Sequence, residues 1–296
     1  MRRKVEKQGN NLPCYDTYIK RCTLLTKMFN PTRRNKNIGT AKQGYGQNNR
    51  NVISNSWNDL RIFWEKLEKY IVVKRNIYGK QYKFLVEKTR KNSIHPCTVD
   101  DISKIIELLN PRDLEGLNLI VLRQPKRREE TLKPVWGRLN YFVEIDKHEG
   151  AAIMLESFDF NRTIKWLKSL KNEDRKEFER LLSDGHKMIE SKRDFTIHPT
   201  INGLRNTMLY RTFIHEVGHY VEYLEKIERP SRKDSEYDFW ADYDKIPSQE
   251  KENFAHSYAE KVSNELTKKG WIPFDRILNE KKMESEKLNI SDFELE

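Results

Sequence analysis

The sequence predicts an α+β fold. Three observations carry that reading: β-type segments cluster in the middle of the chain, long amphipathic helical patterns follow them, and no internal repeat is present. At 296 residues the chain is long enough to bury a sizeable core. From Asn58 to Arg75 the apolar residues Leu60, Trp64, Leu67 and Ile71 recur at helical spacing, so a helix is expected there, with a strand over QYKFLVEK (81–88) after it. Thr98-Val-Asp-Asp101 forms a capping-box pattern that opens a helix over VDDISKIIELLNP, and Pro111 closes it. Strands are expected over 117–124 (LNLIVLRQ), 135–145 (VWGRLNYFVEI) and 151–158 (AAIMLESF), making a small mixed or antiparallel sheet. Helices should follow over 172–191 (NEDRKEFERLLSDGHKMIES), from about Asn202 to Glu228, and over 248–270, the last two punctuated by Pro230 and Gly270.

Charge divides the chain further. Residues 1–50 hold twelve Lys or Arg against only Glu6 and Asp16, whereas the remainder is almost neutral. Residues 31–55 are rich in Asn, Gly, Gln and Arg, as a linker would be. The resulting organisation is a basic, poorly ordered N-terminal arm (1–55), a helical and strand-containing region (56–116), a larger strand-then-helix domain (117–279) and a charged C-terminal tail (280–296). No apolar run approaches membrane-spanning length, and no apolar stretch follows the basic N-terminus as in a secretory signal. Cys14, Cys22 and Cys97 are too sparse for a disulfide framework. A cytoplasmic protein with no membrane partner is the expectation.

Within TMLYRTFIHEVGHYVEYLEKI stand His215-Glu216-Val217-Gly218-His219, an HExxH pattern. Residues four apart share a helix face, so both imidazoles can reach one tetrahedral cation, Zn2+ being the natural choice. Glu216 stands on the flank of that pair, badly placed to ligate but well placed to act as general base on zinc-bound water. Ile214, Val217, Val221 and Leu224 form an apolar stripe beside the histidines, which argues for a packed helix. Gly218 costs about 1 kcal/mol of helix propensity relative to Ala, yet it permits close approach of a neighbouring element.

A catalytic zinc usually takes three protein ligands and leaves one position open. Glu225, at the place where a metzincin carries its last histidine, is disfavoured because strong helix formers run straight through HYVEYLEK. Glu252 in ENFAHSYA is the leading third ligand: it shares a face with Ala255, His256 and Ala259, and the two alanines would let this helix lie close to the first. His256 could hydrogen-bond a ligand from behind or ligate in its place. Asp238 and Asp242 are held in reserve.

HEVGH and ENFAHSYA together resemble the gluzincin class of zinc metallopeptidases. ENFAHSYA looks like the third-ligand helix of anthrax-lethal-factor-like peptidases, and is similar to the Glu-Asn-Phe-Ala stretch of ImmA/IrrE-like peptidases. The resemblance implies a zincin-like fold, in which a small mixed sheet packs on the HExxH helix and a following third-ligand helix. It also implies His215, His219 and Glu252 as zinc ligands, Glu216 as base, and hydrolysis of an intracellular protein substrate. In lethal-factor-like enzymes a Tyr shortly before the ligand Glu stabilises the oxyanion, a role that falls here to Tyr243 or Tyr237, with Tyr243 preferred. AAIMLESF is the candidate edge strand for aligning an extended substrate.

The rival reading is a nucleic-acid-binding protein that uses the basic arm, with a structural or inactive zinc site. The cysteines lack CxxC spacing, which weakens that reading as a replacement for the peptidase, although the arm could still bind nucleic acid or an acidic partner. Cys14 could alternatively cap the zinc. His95, His148, His186 and His198 have no ligand spacing with one another and read as structural residues.

Overall fold

The computed structural model describes residues 63–132, 135–170 and 172–295. The basic arm expected over 1–55, with Cys14 and Cys22, lies outside the described residues. Five strands make the main sheet: β1 (Tyr70–Ile77), β2 (Lys80–Glu87), β4 (Leu119–Arg123), β5 (Gly137–Ile145) and β6 (His148–Glu156), in the spatial order β1-β2-β4-β6-β5. The inner pairs β2/β4 and β4/β6 are parallel, and the outer pairs β1/β2 and β5/β6 are antiparallel. Helix α1 (Val99–Leu108) makes the crossover from β2 to β4, and its expected capping box is formed by Thr98 and Asp101. The short strand β3 (Ser93–Ile94) pairs with β7 (Phe158–Asp159), and α2 (Arg127–Leu132) lies between β4 and β5. The mixed sheet and several helices agree with the α+β expectation, and the sheet runs across the boundary expected at 116/117.

Alternation along the strands divides the core into two faces. Phe84, Val86, Ile120, Leu122, Ile153 and Leu155 face the helices, while Leu85, Val121, Ala152 and Met154 face the other way, toward Trp64, Leu67 and Tyr70. Each of the Phe, Val, Leu, Ile and Met side chains contributes about 1.5–3 kcal/mol on full burial, so the sheet is fixed in place from both sides.

Two expected helices are corrected. Where a helix was expected to run on to Arg75, residues Tyr70–Ile77 form β1. Tyr78 and Gly79 both take positive φ (53° and 74°) between the paired residues Ile77 and Lys80, the two-residue turn that matches strand twist and closes a hairpin. The helix expected over 172–191 stops as α3 (Asn172–Ser183). The chain then turns at Gly185 into β9 (Lys187–Glu190), which joins β8 (Ile164–Leu167) and β10 (Asp194–His198) in a three-stranded sheet of order β8-β10-β9.

The long helical segment begins as α4 (Ile201–Asn206), passes through a π-helical stretch (Thr207–Phe213) into α5 (Ile214–Tyr223), and leaves by a second π-helical stretch (Leu224–Glu228) and α6 (Arg229–Ser231). Helices α7 (Phe239–Lys245), α8 (Ser248–Lys268) and α9 (Glu280–Ser285) follow. The segment read as a charged tail buries Met283, Leu288 and Phe293. No described helix is long and apolar enough to cross a membrane.

Asp101 ties the ends of the fold together. Its carboxylate accepts from the Thr98 and Ile277 amides and pairs with Arg205 at 2.9 Å, all in the interior. Replacing it by Ala leaves a buried guanidinium without its counter-charge, which typically costs about 3–5 kcal/mol. Asp101→Ala should therefore lower the urea midpoint sharply, and Asp101→Asn less so; a loss below about 1 kcal/mol for the alanine variant would contradict this role.

Candidate metal centre

Ile214, Val217, Val221 and Leu224 are all buried, so the apolar stripe beside HEVGH faces the core as its spacing predicts. His215 and His219 are one turn apart on α5, where it meets α8. Gly218 makes that meeting possible: a Cβ there would stand 3.0 Å from both Cα and the carbonyl oxygen of Ala255 and 3.2 Å from the Tyr258 ring. Ala255 is completely buried, and Phe254, Tyr258, Ala259 and Val262 pack against the same core. Two small residues, one per helix, thus let the backbones approach closely. Tyr258 secures α8 further by donating a hydrogen bond to Asp113 at 2.7 Å.

This contact delivers Glu252 to the histidines. Its Oε2 lies 3.3 Å from His215 Nε2 and its Oε1 lies 3.5 Å from His219 Nε2. Among the described residues these three side chains form a group able to hold a metal ion, with one ligand atom from each lying within 4.8 Å of the others. A tetrahedral metal with bonds of about 2.0 to 2.1 Å spaces its ligand atoms about 3.3 to 3.4 Å apart, which the two distances from Glu252 to the histidines match. His219 Nε2 is buried and makes no hydrogen bond, an orphaned lone pair or proton that a cation would satisfy. Two imidazoles and one carboxylate are a donor set that a divalent cation such as zinc accepts.

The electrostatics match. Burial works to raise the Glu252 pKa, but the adjacent His215 and His219 overcome it and hold the carboxyl down to about 2. Burial works to lower the His219 pKa, but the carboxylates of Glu252 and Glu216 outweigh it and raise it. His256 stands against His215 with ring centroids 4.5 Å apart; burial, then the neighbouring His215, pushes it down to about 4, so it is neutral at pH 7. It is not part of the three-residue group.

Glu216 is almost fully buried, and its Oε2 accepts a hydrogen bond of 2.7 Å from the main-chain amide of Leu139. Leu139 belongs to β5, the edge strand of the main sheet. AAIMLESF, the expected edge strand, is instead β6, an interior strand between β4 and β5. The Glu156 amide bonds the Trp136 carbonyl, so alternation along the antiparallel ladder turns the amides and carbonyls of Gly137 and Leu139 away from β6. They face the site. A cavity of about 790 Å³ opens here, lined by His215, Glu216, Glu252 and His256, by Trp136 and by Gly137 at the start of β5, and by residues of α3 and β8.

Several expected residues stand elsewhere. Tyr243, the preferred oxyanion stabiliser, is buried with its hydroxyl between Tyr141 (3.1 Å) and Glu222 (3.2 Å) and does not line the cavity. Tyr237 is exposed and bonded to Asp242. Glu225 is exposed, Asp238 caps α7 by accepting from the Ala241 amide, and Asp242 pairs with Lys245. His95 bonds the Glu87 carbonyl and His186 the Thr207 hydroxyl, as structural residues do, and Cys97 is buried. Sequence reasoning missed Leu139, because a main-chain group leaves no side-chain signature. It also missed Glu222, fully buried and paired with Lys226 at 2.6 Å.

Comparison with family models, curated proteins and solved structures finds no match to the chain.

Two outcomes follow from the geometry. Gly218→Ala gains about 1 kcal/mol of helix propensity but forces α8 away from α5, so zinc affinity measured by chelator competition should fall at least about tenfold. Unchanged affinity would mean that the helix contact does not set the Glu252 position. Zinc binding should also weaken as pH falls, because His219, whose pKa is raised, takes up a proton before an ordinary histidine does and must release it to ligate. The slope of log Kd against pH should flatten in His219→Ala, where that competing proton is gone.

Proposed function

We propose that the protein is a zinc-dependent peptidase of the gluzincin kind, with His215, His219 and Glu252 as metal ligands and Glu216 as general base. The observation that carries this reading is the convergence of three ligand atoms within 4.8 Å, beside a general-base candidate that is itself anchored to an open strand edge. A mixed sheet with an antiparallel edge strand beside the HEVGH helix, and a second helix carrying a carboxylate to it, supports the zincin-like reading.

When bound, zinc supplies a Lewis acid that acidifies water toward a pKa of about 7 and polarises a carbonyl. The protein's own groups do the rest. Glu216 takes a proton from the attacking water and later gives it to the departing amine. The Leu139 amide holds one carboxylate oxygen, fixing the orientation of the other. With the Leu139 amide committed to Glu216, the outward carbonyls of Gly137 and Leu139 and the Gly137 amide offer an extended substrate main-chain pairing, which aligns the scissile bond without selecting its side chains. Burial of Glu216 and of the ligand faces excludes bulk water and strengthens each electrostatic contact. A protein segment that can be drawn out into an extended strand is the substrate class this site takes. The nucleic-acid reading rests on residues 1–50, outside the described residues, and draws no support from the site.

Glu216→Gln should retain one zinc per chain by metal analysis while losing at least about 100-fold in peptide hydrolysis, the usual scale for removing a general base. Glu252→Gln should lose both metal and turnover. Full hydrolysis by the Glu216→Gln protein would end the assignment of the base, and tight zinc binding by Glu252→Gln would end that of the third ligand.

A further inference from the structure

Strand β5 does something unusual beyond the metal centre. Its pairing with β6 is regular from Gly137 to Asn140 and resumes at Val143, where Asn140 opposes Ala152 but Val143 opposes Gly150. Three steps on β5 thus match two on β6, a β-bulge with one extra residue. The consequence is visible in the packing. Leu139 and Tyr141 lie on the helix face, whereas Val143 lies on the opposite face with Leu85 and Val121. Strict alternation from Leu139 would put Phe142 on that opposite face. The bulge instead turns it onto the helix side, where its ring stands 5.8 Å from Trp240 and 6.4 Å from Tyr223.

Phe142 is nevertheless 67% exposed, the most exposed large hydrophobic side chain among the described residues. Beneath it the aromatic cluster is firm: Tyr223 is buried, Tyr141 lies 4.9 Å from it, and Tyr141 and Tyr243 share a hydrogen bond. A bulge that spends strand pairing to aim a phenylalanine at solvent, on a rigid aromatic base, has no return within the monomer's core. It has one if the ring meets a ligand.

The position identifies that ligand. Phe142 lies three residues along the same edge strand from Leu139, or about 10 Å at 3.4 Å per residue. A chain that pairs with Gly137 and the Leu139 carbonyl and continues along β5 comes to Phe142, against which Trp240 stands. The neighbouring segment carries Asp234, Glu236, Asp238, Asp242 and Asp244, all exposed; Lys245 pairs with Asp242, and even with Arg232 and Lys233 before it, acidic residues outnumber basic ones from 232 to 245. This rim is acidic although the chain as a whole is basic.

We infer that Phe142 and Trp240 form a specificity subsite of the proposed peptidase for a large apolar side chain of an extended substrate, with flanking basic residues held by the acidic rim. If the substrate adds antiparallel to β5, the anchor residue lies on the N-terminal side of the cleaved bond, about three residues from it. The inference rests on the peptidase reading for the word substrate, but the docking itself does not require turnover.

The test therefore separates binding from cleavage. Dye-labelled decapeptides of Gly and Ser with two Lys and one variable position (Ala, Leu or Phe) are titrated by anisotropy against zinc-loaded Glu216→Gln protein. The same peptides are offered to the wild-type protein for cleavage. The Phe peptide should bind about tenfold tighter than its Ala counterpart, the scale of partly burying one aromatic ring. Adding Phe142→Ser to the Glu216→Gln background should collapse that ratio to near one, Phe142→Leu should restore part of it, and replacing the peptide lysines by Glu should weaken binding in a salt-dependent way. Because Phe142 is mostly exposed, its substitution does not threaten folding, and thermal unfolding checks this. An unchanged Phe-to-Ala ratio in Phe142→Ser overturns the subsite, as does absence of peptide binding or a concentration-dependent dimer that Phe142→Ser abolishes. Side-chain-dependent binding with no cleavage of any peptide by wild type would support the docking surface and overturn the peptidase reading instead.

Discussion

The close contact of α8 on α5 at Gly218 and Ala255 is the constraint on which the site depends. Two helices whose backbones come this near would hold a Cβ at Gly218 only 3.0 Å from the Ala255 backbone, so an added methyl requires α8 to give by a few tenths of an ångström. Everything that could bind a metal is carried across that contact. His215 and His219 come from one helix and Glu252 from the other, and neither helix alone holds a complete set. Tyr258, which touches the same glycine and reaches Asp113, shows that the register of α8 is fixed outside the site as well as within it. A ligand triad built in this way is preorganised by packing, which places the entropic cost of ordering it in folding rather than in metal capture.

A second constraint is electrostatic. Helix α5 buries Glu216 and Glu222, and Glu252 faces them from α8. Glu222 is offset by the Lys226 ammonium one turn later and by the Tyr243 hydroxyl, whose pKa burial and its neighbours push far up, so that it remains a donor. Glu216 accepts from the Leu139 amide. Among the described residues, the groups close to Glu252 are the imidazoles of His215 and His219, which donate to it when Nε2 carries hydrogen, a hydrogen that a metal at this position would replace. Of the three buried carboxylates, the one without a fixed cation or main-chain partner of its own is the one placed to share a metal, since uncompensated buried charge is costly.

The sequence disclosed the parts of this arrangement that are periodic or local. Four-residue spacing placed His215 and His219 together, the alanines at 255 and 259 signalled a close helix contact, and Thr98 with Asp101 announced a helix start that the structure reproduces. Elements decided by long-range pairing were harder to read. The helical spacing of Leu60, Trp64, Leu67 and Ile71 suggested a helix running on to Arg75, yet the Tyr78-Gly79 turn and pairing with β2 make residues 70–77 a strand. Strand order was likewise hidden: β6 has the more apolar sequence and β5 the more mixed one, which is what an interior strand and an edge strand should show, but only the ladder itself identifies the neighbour of α5. Tyr243 was attractive by its distance along the chain from Glu252, a quantity that says nothing about where a hydroxyl points.

The edge strand is where these threads join. An edge strand is ordinarily a hazard, because its unpaired amides and carbonyls invite other chains. Here part of that edge is occupied internally, since Glu216 accepts the Leu139 amide, and part is aimed at a cavity rather than at open solvent. The bulge at Tyr141 and Phe142 then ends regular pairing within two residues of Leu139, which shortens the edge that a stray strand could use. The same irregularity that limits unwanted pairing also gives the exposed edge a side-chain preference. Backbone pairing alone accepts any sequence, so discrimination among extended chains has to come from side-chain contacts beside the ladder, and Phe142 with Trp240 is the apolar surface that the strand itself presents there.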